Sequence, residues 1–333
     1  DRVTAKKFND NIRAAYGYDS YGNLGYYNDL INGVSYRYFY DIRDQLTKIV
    51  DSSGNITSFD YDPAGNEKKI YDKINGYEYT TSYDYNGDNR QSQVTLNGGQ
   101  TVDYNYDIST GRLFNIYTNT GAVQYTTSYT YKPNVNPSNG VTKLIKSISN
   151  GSDSPISYTY DANGNIETIT QYGKTIRYYY NELNEVIRED NQVLNKTIAQ
   201  SYDSGGNITA KTEYAYTAGI LGTPIRSYAY TYDGTWKDKL TNYDGKEITY
   251  DQIGNPITYD GWTYTWEMGK QLANMSKAGQ NLLFKYNDDG IRTEKTVNGV
   301  VTRYHLIGGL VAYQDDGTDR MHFTYDADGQ LIS

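Results

Sequence analysis

The chain has 333 residues, no Cys, two His and a formal net charge of −9. These counts argue against a disulfide framework, a thiolate nucleophile, a Cys-ligated zinc, a His-rich metal site and a nucleic-acid partner. No apolar run approaches the ~20 residues of a membrane helix, and Tyr, with 40 residues, supplies the apolar area that sparse Ile, Leu, Val and Phe do not.

A repeat dominates the chain. Its core is Tyr-Asp, two free residues, Gly-Asn and then an aliphatic residue. It first reads Tyr18-Asp19-Ser20-Tyr21-Gly22-Asn23-Leu24, and recurs at Tyr61-Asp62 with Gly65-Asn66. Further copies are Tyr160-Asp161 with Gly164-Asn165, Tyr202-Asp203 with Gly206-Asn207, and Tyr250-Asp251 with Gly254-Asn255. Weaker copies start at Tyr40, Tyr83, Tyr106, Tyr180, Tyr232, Tyr286 and Tyr325; from Tyr18 to Tyr106 the steps are 22, 21, 22 and 23 residues.

The segment ahead of each motif alternates, as in Ser157-Tyr158-Thr159-Tyr160, which places both Tyr on one face of a strand. Asp bonds backbone N–H groups two residues on, Gly takes the left-handed position, and Asn begins the return strand. Each Tyr-Asp motif therefore predicts a hairpin tip.

A second set of tips lies between these. Asn32-Gly33, Asn75-Gly76, Asn97-Gly98 and Asn298-Gly299 are two-residue turn signals. Asp244-Gly245, Asp260-Gly261 and Asp316-Gly317 are similar; Tyr172-Gly173 and Ala278-Gly279 are weaker. Alternating tips predict an antiparallel meander with two strands per repeat. With turns at Asn75-Gly76 and Asn298-Gly299, Lys73 faces Glu78 and Glu294 faces Arg303, two opposite-charge pairs.

Roughly 25 strands at about 4.8 Å each would make a ribbon on the order of 120 Å wide, too broad to stay flat. The predicted fold is all-β: antiparallel β-hairpin repeats forming a curled, spiralling sheet held by nearest-neighbour contacts, with Tyr ladders between repeats. The array is expected to run over 1–333 as a piece of a longer protein. Segment 262–285, with Trp262, Trp266, Met268, Leu272 and Met275, is expected to be a less regular insertion, a plug or a short helix.

Chemistry is sparse. Most Asp occupy turn positions that explain them, so a pair of carboxylates for glycoside hydrolysis is the weakest of the readings, and the fragment is expected not to be an enzyme. Asp161, Asn163 and Asn165, like Asp326 and Asp328, alternate as in a calcium loop, but Ile166 and Tyr172 stand where that loop needs Gly and Glu. No cofactor is implied. His305, in a predicted strand opposite Arg292, and His322 have no Ser or Asp partner in sequence. Trp236, Trp262 and Trp266 could stack on a glycan or a surface receptor, and they underlie an alternative reading as an adhesion module.

The run Tyr38-Phe39-Tyr40-Asp41, Leu46-Thr47-Lys48-Ile49, Asp51-Ser52-Ser53-Gly54-Asn55 and Tyr61-Asp62-Pro63-Ala64-Gly65-Asn66 resembles the YD (Tyr-Asp) repeats of the rearrangement-hotspot (RHS) family. The resemblance covers nearly the whole chain. Residues 286–333, with Gly290-Ile291-Arg292-Thr293-Glu294-Lys295 and Tyr304-His305-Leu306, are similar to the segment ahead of the family's core domain. The resemblance implies a large bacterial protein, secreted or held at the cell surface or wall, with relatives among the animal teneurins. It implies a hollow β-shell around a C-terminal toxin or effector of the same polypeptide. The core domain with its self-cleaving aspartates is expected beyond Ser333, so no catalytic position is carried onto this chain.

Overall fold

The computed structural model describes residues 2–134 and 140–333. Thirty strands and no helix are found among the described residues. They fall into two compact units, Asp1–Val102 with Gly261–Ser333, and Asp103–Asp260.

In the first unit, nine strands from Ala5–Phe8 to Gln91–Thr95 pair antiparallel in chain order and form an N-terminal ribbon. Seven more, from Trp262–Glu267 to Arg320–His322, form a C-terminal ribbon by the same rule. Lys73 is the register partner of Glu78 with Nζ 3.1 Å from the carboxylate, and Glu294 that of Arg303 at 3.4 Å, as the turn signals require. In the second unit, thirteen strands from Leu113–Asn119 to Pro256–Tyr259 continue the meander.

Two sequence expectations need correction. Segment 262–285 holds regular strands, Trp262–Glu267 and Gln271–Lys277, and most of Gln280–Tyr286. Trp262, Tyr264 and Trp266 alternate with exposed residues and occupy one face, so the aromatic cluster is a period-2 strand signal. The weaker copy at Tyr83-Asp84 is displaced: the strand runs to Tyr85, and Asn86 caps the tip by accepting from the N–H groups of Asp88 and Arg90, both at 3.0 Å.

The tips follow one plan. Asp19 Oδ1 accepts from the N–H groups of Tyr21, Gly22 and Asn23 at 2.9, 2.7 and 2.9 Å. Asp161, Asp203 and Asp251 bond the residues two and four positions on at 2.8–3.0 Å. Gly65 has φ +95°, a left-handed conformation that a Cβ disfavours. One residue before the motif Tyr the register slips, as between Asp60 and Tyr61, so the return strand carries a bulge.

The carbonyl that opens each return strand lies beyond the ladder to the next hairpin: Leu46 pairs with Tyr40, and pairing of its strand with the following one begins only at Lys48 and Ser58. The next motif Tyr fills the gap. Tyr40 donates its hydroxyl to Leu24 O (3.2 Å), Tyr61 to Leu46 O (2.8 Å) and Tyr85 to Glu67 O (3.0 Å). Tyr180, Tyr202 and Tyr232 do the same to Ile166, Val186 and Ile208. Such ties run through both units.

Buried apolar side chains concentrate in the first unit: Ala14, Phe59, Ile74, Tyr83, Val94, Val102, Ala312 and Tyr313. In the second, Ile198 is buried, and so are the polar Thr168, Asp190 and Thr197. Hydroxyl pairs such as Thr159–Thr168 (2.7 Å) and Thr249–Thr258 (2.6 Å) add cross-strand bonds there.

Tyr61→Phe removes one tie and keeps the ring. It should cost about 1 kcal/mol, because a carbonyl loses its partner, whereas Tyr21→Phe, at an exposed tip hydroxyl, should be neutral. Denaturant midpoints of the two variants check this.

Candidate functional site

Two places combine polar chemistry with defined geometry: the row of Tyr-Asp tips and the seam between the two ribbons of the first unit.

At the tips, side chains reach from one hairpin to the next. Asn23 Nδ2 donates to Asp44 Oδ1 at 2.9 Å, Gln45 Nε2 to Gly65 O at 3.4 Å and Asn66 Nδ2 to Asn89 Oδ1 at 2.6 Å. In the second unit Asn165 donates to Asn184 at 2.7 Å. The acceptors Asp44, Asn89 and Asn184 occupy the motif's Gly position, with φ of 60°, 60° and 62°. Asp and Asn tolerate that conformation and also offer an acceptor oxygen, which accounts for the weaker copies at Tyr40 and Tyr180. Asn66, Asn165 and Asn207 each donate an amide N–H to the Asp of their own tip. Those amides, with the backbone N–H groups, hold the carboxyls of Asp62, Asp161 and Asp203 below the usual carboxylate range.

The three Trp sit differently. Trp236 is 48% exposed, yet its ring lies where a Cβ on Gly254 would be, at 2.4 Å, so it packs one tip against the next. Lys239 Nζ lies 5.4 Å from its ring centre. Trp262 is half-buried with Lys277 Nζ 6.0 Å from its ring, and Trp266 is half-buried opposite Leu272.

The seam was not visible in the sequence. Along it the N-terminal ribbon supplies buried acids at the strand ends remote from the Tyr-Asp tips: Asp29, Asp51 and Asp72. Their steps of 22 and 21 residues match the repeat, and that spacing could have flagged them. Asp72 Oδ1 accepts from Thr57 Oγ1 at 2.7 Å, and Oδ2 meets His322 Nε2 at 2.9 Å. The His322 ring stacks on Tyr79, with centroids 4.1 Å apart and planes at 10°. His305 Nδ1 lies 3.7 Å from Asp51 Oδ2. Both His therefore face an Asp that lies far away in the sequence.

At the other end of the seam Asp288 of the C-terminal ribbon accepts from the hydroxyls of Tyr16 and Tyr27 and pairs with Lys6 at 2.8 Å. Burial alone would push Asp288 up; the Lys6, Tyr16 and Tyr27 donors outweigh it and hold the carboxyl below its usual range. Burial, reinforced by the bond to Asp288, pushes the Tyr16 phenol up to about 12. Tyr16, Tyr27 and Tyr36 stack at 5.3 and 5.6 Å. Two cavities flank these contacts. One of about 320 Å³ is lined by Phe59, Ile70, Tyr83, Asp72 and His322, and one of about 330 Å³ by Tyr16, Tyr27, Tyr36, Tyr38 and Asp288.

The chemistry of the seam is that of closure. The Thr57 hydroxyl donates to Asp72 and not to the imidazole, so Thr57, Asp72 and His322 do not form a nucleophile and base. Among the described residues no group of three or more His, Asp or Glu is placed to hold a metal ion.

The class this fold defines is an all-β repeat array, a curled antiparallel sheet that does not close into a barrel. No protein-family model matches the chain. It is 36% identical over 103 residues to the tRNA3(Ser)-specific nuclease WapA of Bacillus spizizenii, and 35% identical over 100 residues to the tRNA nuclease WapA of Bacillus subtilis. These stretches are 29% and 28% of this chain and 4% of each relative. The fold is shared with the crystal structures titled TcdB2-TccC3-Cdc42 and TcdB2-TccC3 without hypervariable C-terminal region. Their TM-scores are 0.52 and 0.53 at 14% and 13% identity, over 96% of this chain and 20% of each of those chains.

Asp288→Asn should destabilise the protein by about 1.5–3 kcal/mol at neutral pH, the range for bonds to a charged group. Because the folded carboxyl titrates below its unfolded value, this contribution is complete above about pH 4 and fades as pH falls through the folded value. Stability curves against pH for the two proteins should therefore converge in acid.

Proposed function

We propose that the chain is a structural YD/RHS-type wall segment of a longer bacterial protein that is secreted or held at the cell surface. The observation that carries this reading is the fold shared with TcdB2-TccC3 over nearly the whole chain. The shorter stretch of identity to WapA supports it. In this reading the repeats form one array, with 286–333 as the segment leading to a core domain, and the wall encloses or displays a C-terminal effector.

The mechanism is steric. The phenol–carbonyl ties and the capped tips keep successive hairpins in register, so cargo behind the wall is kept from proteases and the cell is kept from the cargo. Chemistry of the kind named for WapA would then reside outside the repeats, and the partner of this chain is a C-terminal polypeptide of its own protein. The Tyr-Asp-Gly-Asn tips serve assembly, and Trp236 serves tip packing in preference to a glycan.

Limited proteolysis of the intact parent protein tests this. The region C-terminal to the core domain should resist cleavage until the array is denatured, and then be cut at least about tenfold faster, as expected when access depends on opening of the wall. Equal cleavage of that region in the native protein and as a free polypeptide would remove encapsulation from the reading.

A further inference from the structure

Glu67 departs from the repeat. The residue that opens a return strand is the register partner of the motif Tyr, and it is aliphatic at Leu24, Leu46, Ile166, Val186 and Ile208. Opposite Tyr61 it is Glu67, so a carboxylate takes a place that those repeats give to an apolar side chain. Two other polar residues at this place have partners: Gln91 accepts from the N–H of Ala327, and Arg292 lies over the Tyr304 ring. Among the described residues no hydrogen bond or ion pair holds the Glu67 carboxylate. Burial pushes it up, with no donor or cation to oppose the effect.

Glu67 is an exposed residue of the cavity of about 320 Å³ between the two ribbons of the first unit, and it stands at the rim. Deeper in, the walls are apolar, with Phe59 and Ile70 on one side and Ala312 and Phe323 on the other. The two sides are already fixed to each other: Tyr83 donates its hydroxyl to Tyr325 O at 3.0 Å, and His322 meets Asp72 at 2.9 Å. Phenols aside, the other acids and bases of the lining are Asp72, Asp326 and His322; no Lys or Arg is among them. Three carboxylates stand against one imidazole, so the lining is net negative at neutral pH whether or not that imidazole carries a proton. A volume at the lower end of ligand pockets, apolar walls and a few convergent polar groups are the ordinary form of a small-molecule site.

We propose that this cavity binds an amphipathic organic cation, a primary ammonium on an aryl-alkyl body, with the ammonium at Glu67 and the body between Phe59, Ile70 and Ala312. The sign of the ligand's charge follows from the lining. An anionic ligand would meet three like charges and no Lys or Arg. A neutral one would cover Glu67 and give its carboxylate no counter-charge, whereas an ammonium makes a charge-assisted bond there. The apolar walls set the other half of the ligand, since a bare ammonium gains nothing from Phe59 or Ala312. This is a ligand of the wall itself, and it does not rest on what the array encloses.

Isothermal titration calorimetry of the intact protein at neutral pH tests this, with 2-phenylethylammonium as the probe and 2-phenylethanol and 3-phenylpropanoate as its neutral and anionic counterparts. The ammonium should bind saturably at one site. The alcohol should bind at least about tenfold more weakly, the lower end of what a hydrogen bond to a charged group contributes, and the carboxylate should not bind. Methylammonium, a head without a body, should not bind either. Glu67→Gln keeps the side-chain shape at the rim and should weaken the ammonium about tenfold. A second measurement needs no variant: on titration of the wild type with the ammonium, the NMR signals of the Ile70 and Ala312 methyl groups should shift along the same binding curve. Absence of saturable binding, equal affinity for ammonium and carboxylate, an ammonium affinity unchanged in Glu67→Gln, or methyl signals that stay still while the ammonium binds would each overturn the proposal.

Discussion

The structure depends on one bond made repeatedly, from a motif Tyr hydroxyl to the backbone carbonyl that its neighbouring hairpin leaves unpaired. A bulge at each return strand is needed to close the Tyr-Asp turn, and it removes one residue from the ladder, as Lys68 is skipped between Asp60 and Tyr61 pairing. The carbonyl beside it, Glu67 O, lies beyond the ladder to the next strand, which begins at Lys69 and Ser82, and takes its donor from elsewhere. The phenol crosses the gap with its ring as spacer and its hydroxyl as donor. Phe would span the gap and leave the carbonyl unpaired; a shorter alcohol would not span it. The excess of Tyr over Phe, 40 against 6, follows from this demand.

Because each tie joins adjacent hairpins, stability is built by nearest neighbours, as in other repeat architectures. This removes the need for a deep apolar core along the whole length. The second unit illustrates the point: Thr168, Thr197 and Asp190 are buried, and hydroxyl pairs and phenol ties do what aliphatic packing does elsewhere. Alternation at the tips has the same origin. An Asn that reaches sideways needs an acceptor on the next tip, and a left-handed Asp44 or Asn89 supplies the acceptor and the turn geometry in one residue.

The meander, most of the tips and two charge pairs were legible in the sequence because each is encoded within a few residues; the loops at Asn32-Gly33 and Asp316-Gly317 are four residues long, with Asp29 paired to Val34 and Asp315 to Arg320, and not two-residue turns. Tyr-Asp-x-x-Gly-Asn fixes a turn locally, and Asn75-Gly76 fixes the register that sets Lys73 against Glu78. The displaced tip at Tyr85 was obscured by two overlapping Tyr-x pairs, of which the one with Asp looked the better cap. The strand Trp262–Glu267 was hidden by aromatic size, which drew attention from its alternation. The His–Asp contacts could not be read at all. Asp72 and His322 are 250 residues apart, and no local pattern says which faces of a long ribbon will meet.

That distinction separates two kinds of interaction in the chain. Neighbour ties are redundant, so losing one weakens one joint among many. The seam contacts join segments remote in sequence, so they decide whether the N-terminal and C-terminal ribbons stay face to face. Their chemistry also differs. The neighbour ties are phenol to carbonyl, and the phenols of Tyr40, Tyr61 and Tyr202 are pushed up by burial, away from any titration near neutrality. The seam mixes neutral bonds, Tyr83 to Tyr325 O and Thr293 to Asn32, with contacts of carboxylates, Asp72 to His322 and Asp288 to Lys6. A substitution that leaves every hairpin intact can therefore act on the place where the two ribbons of the first unit meet.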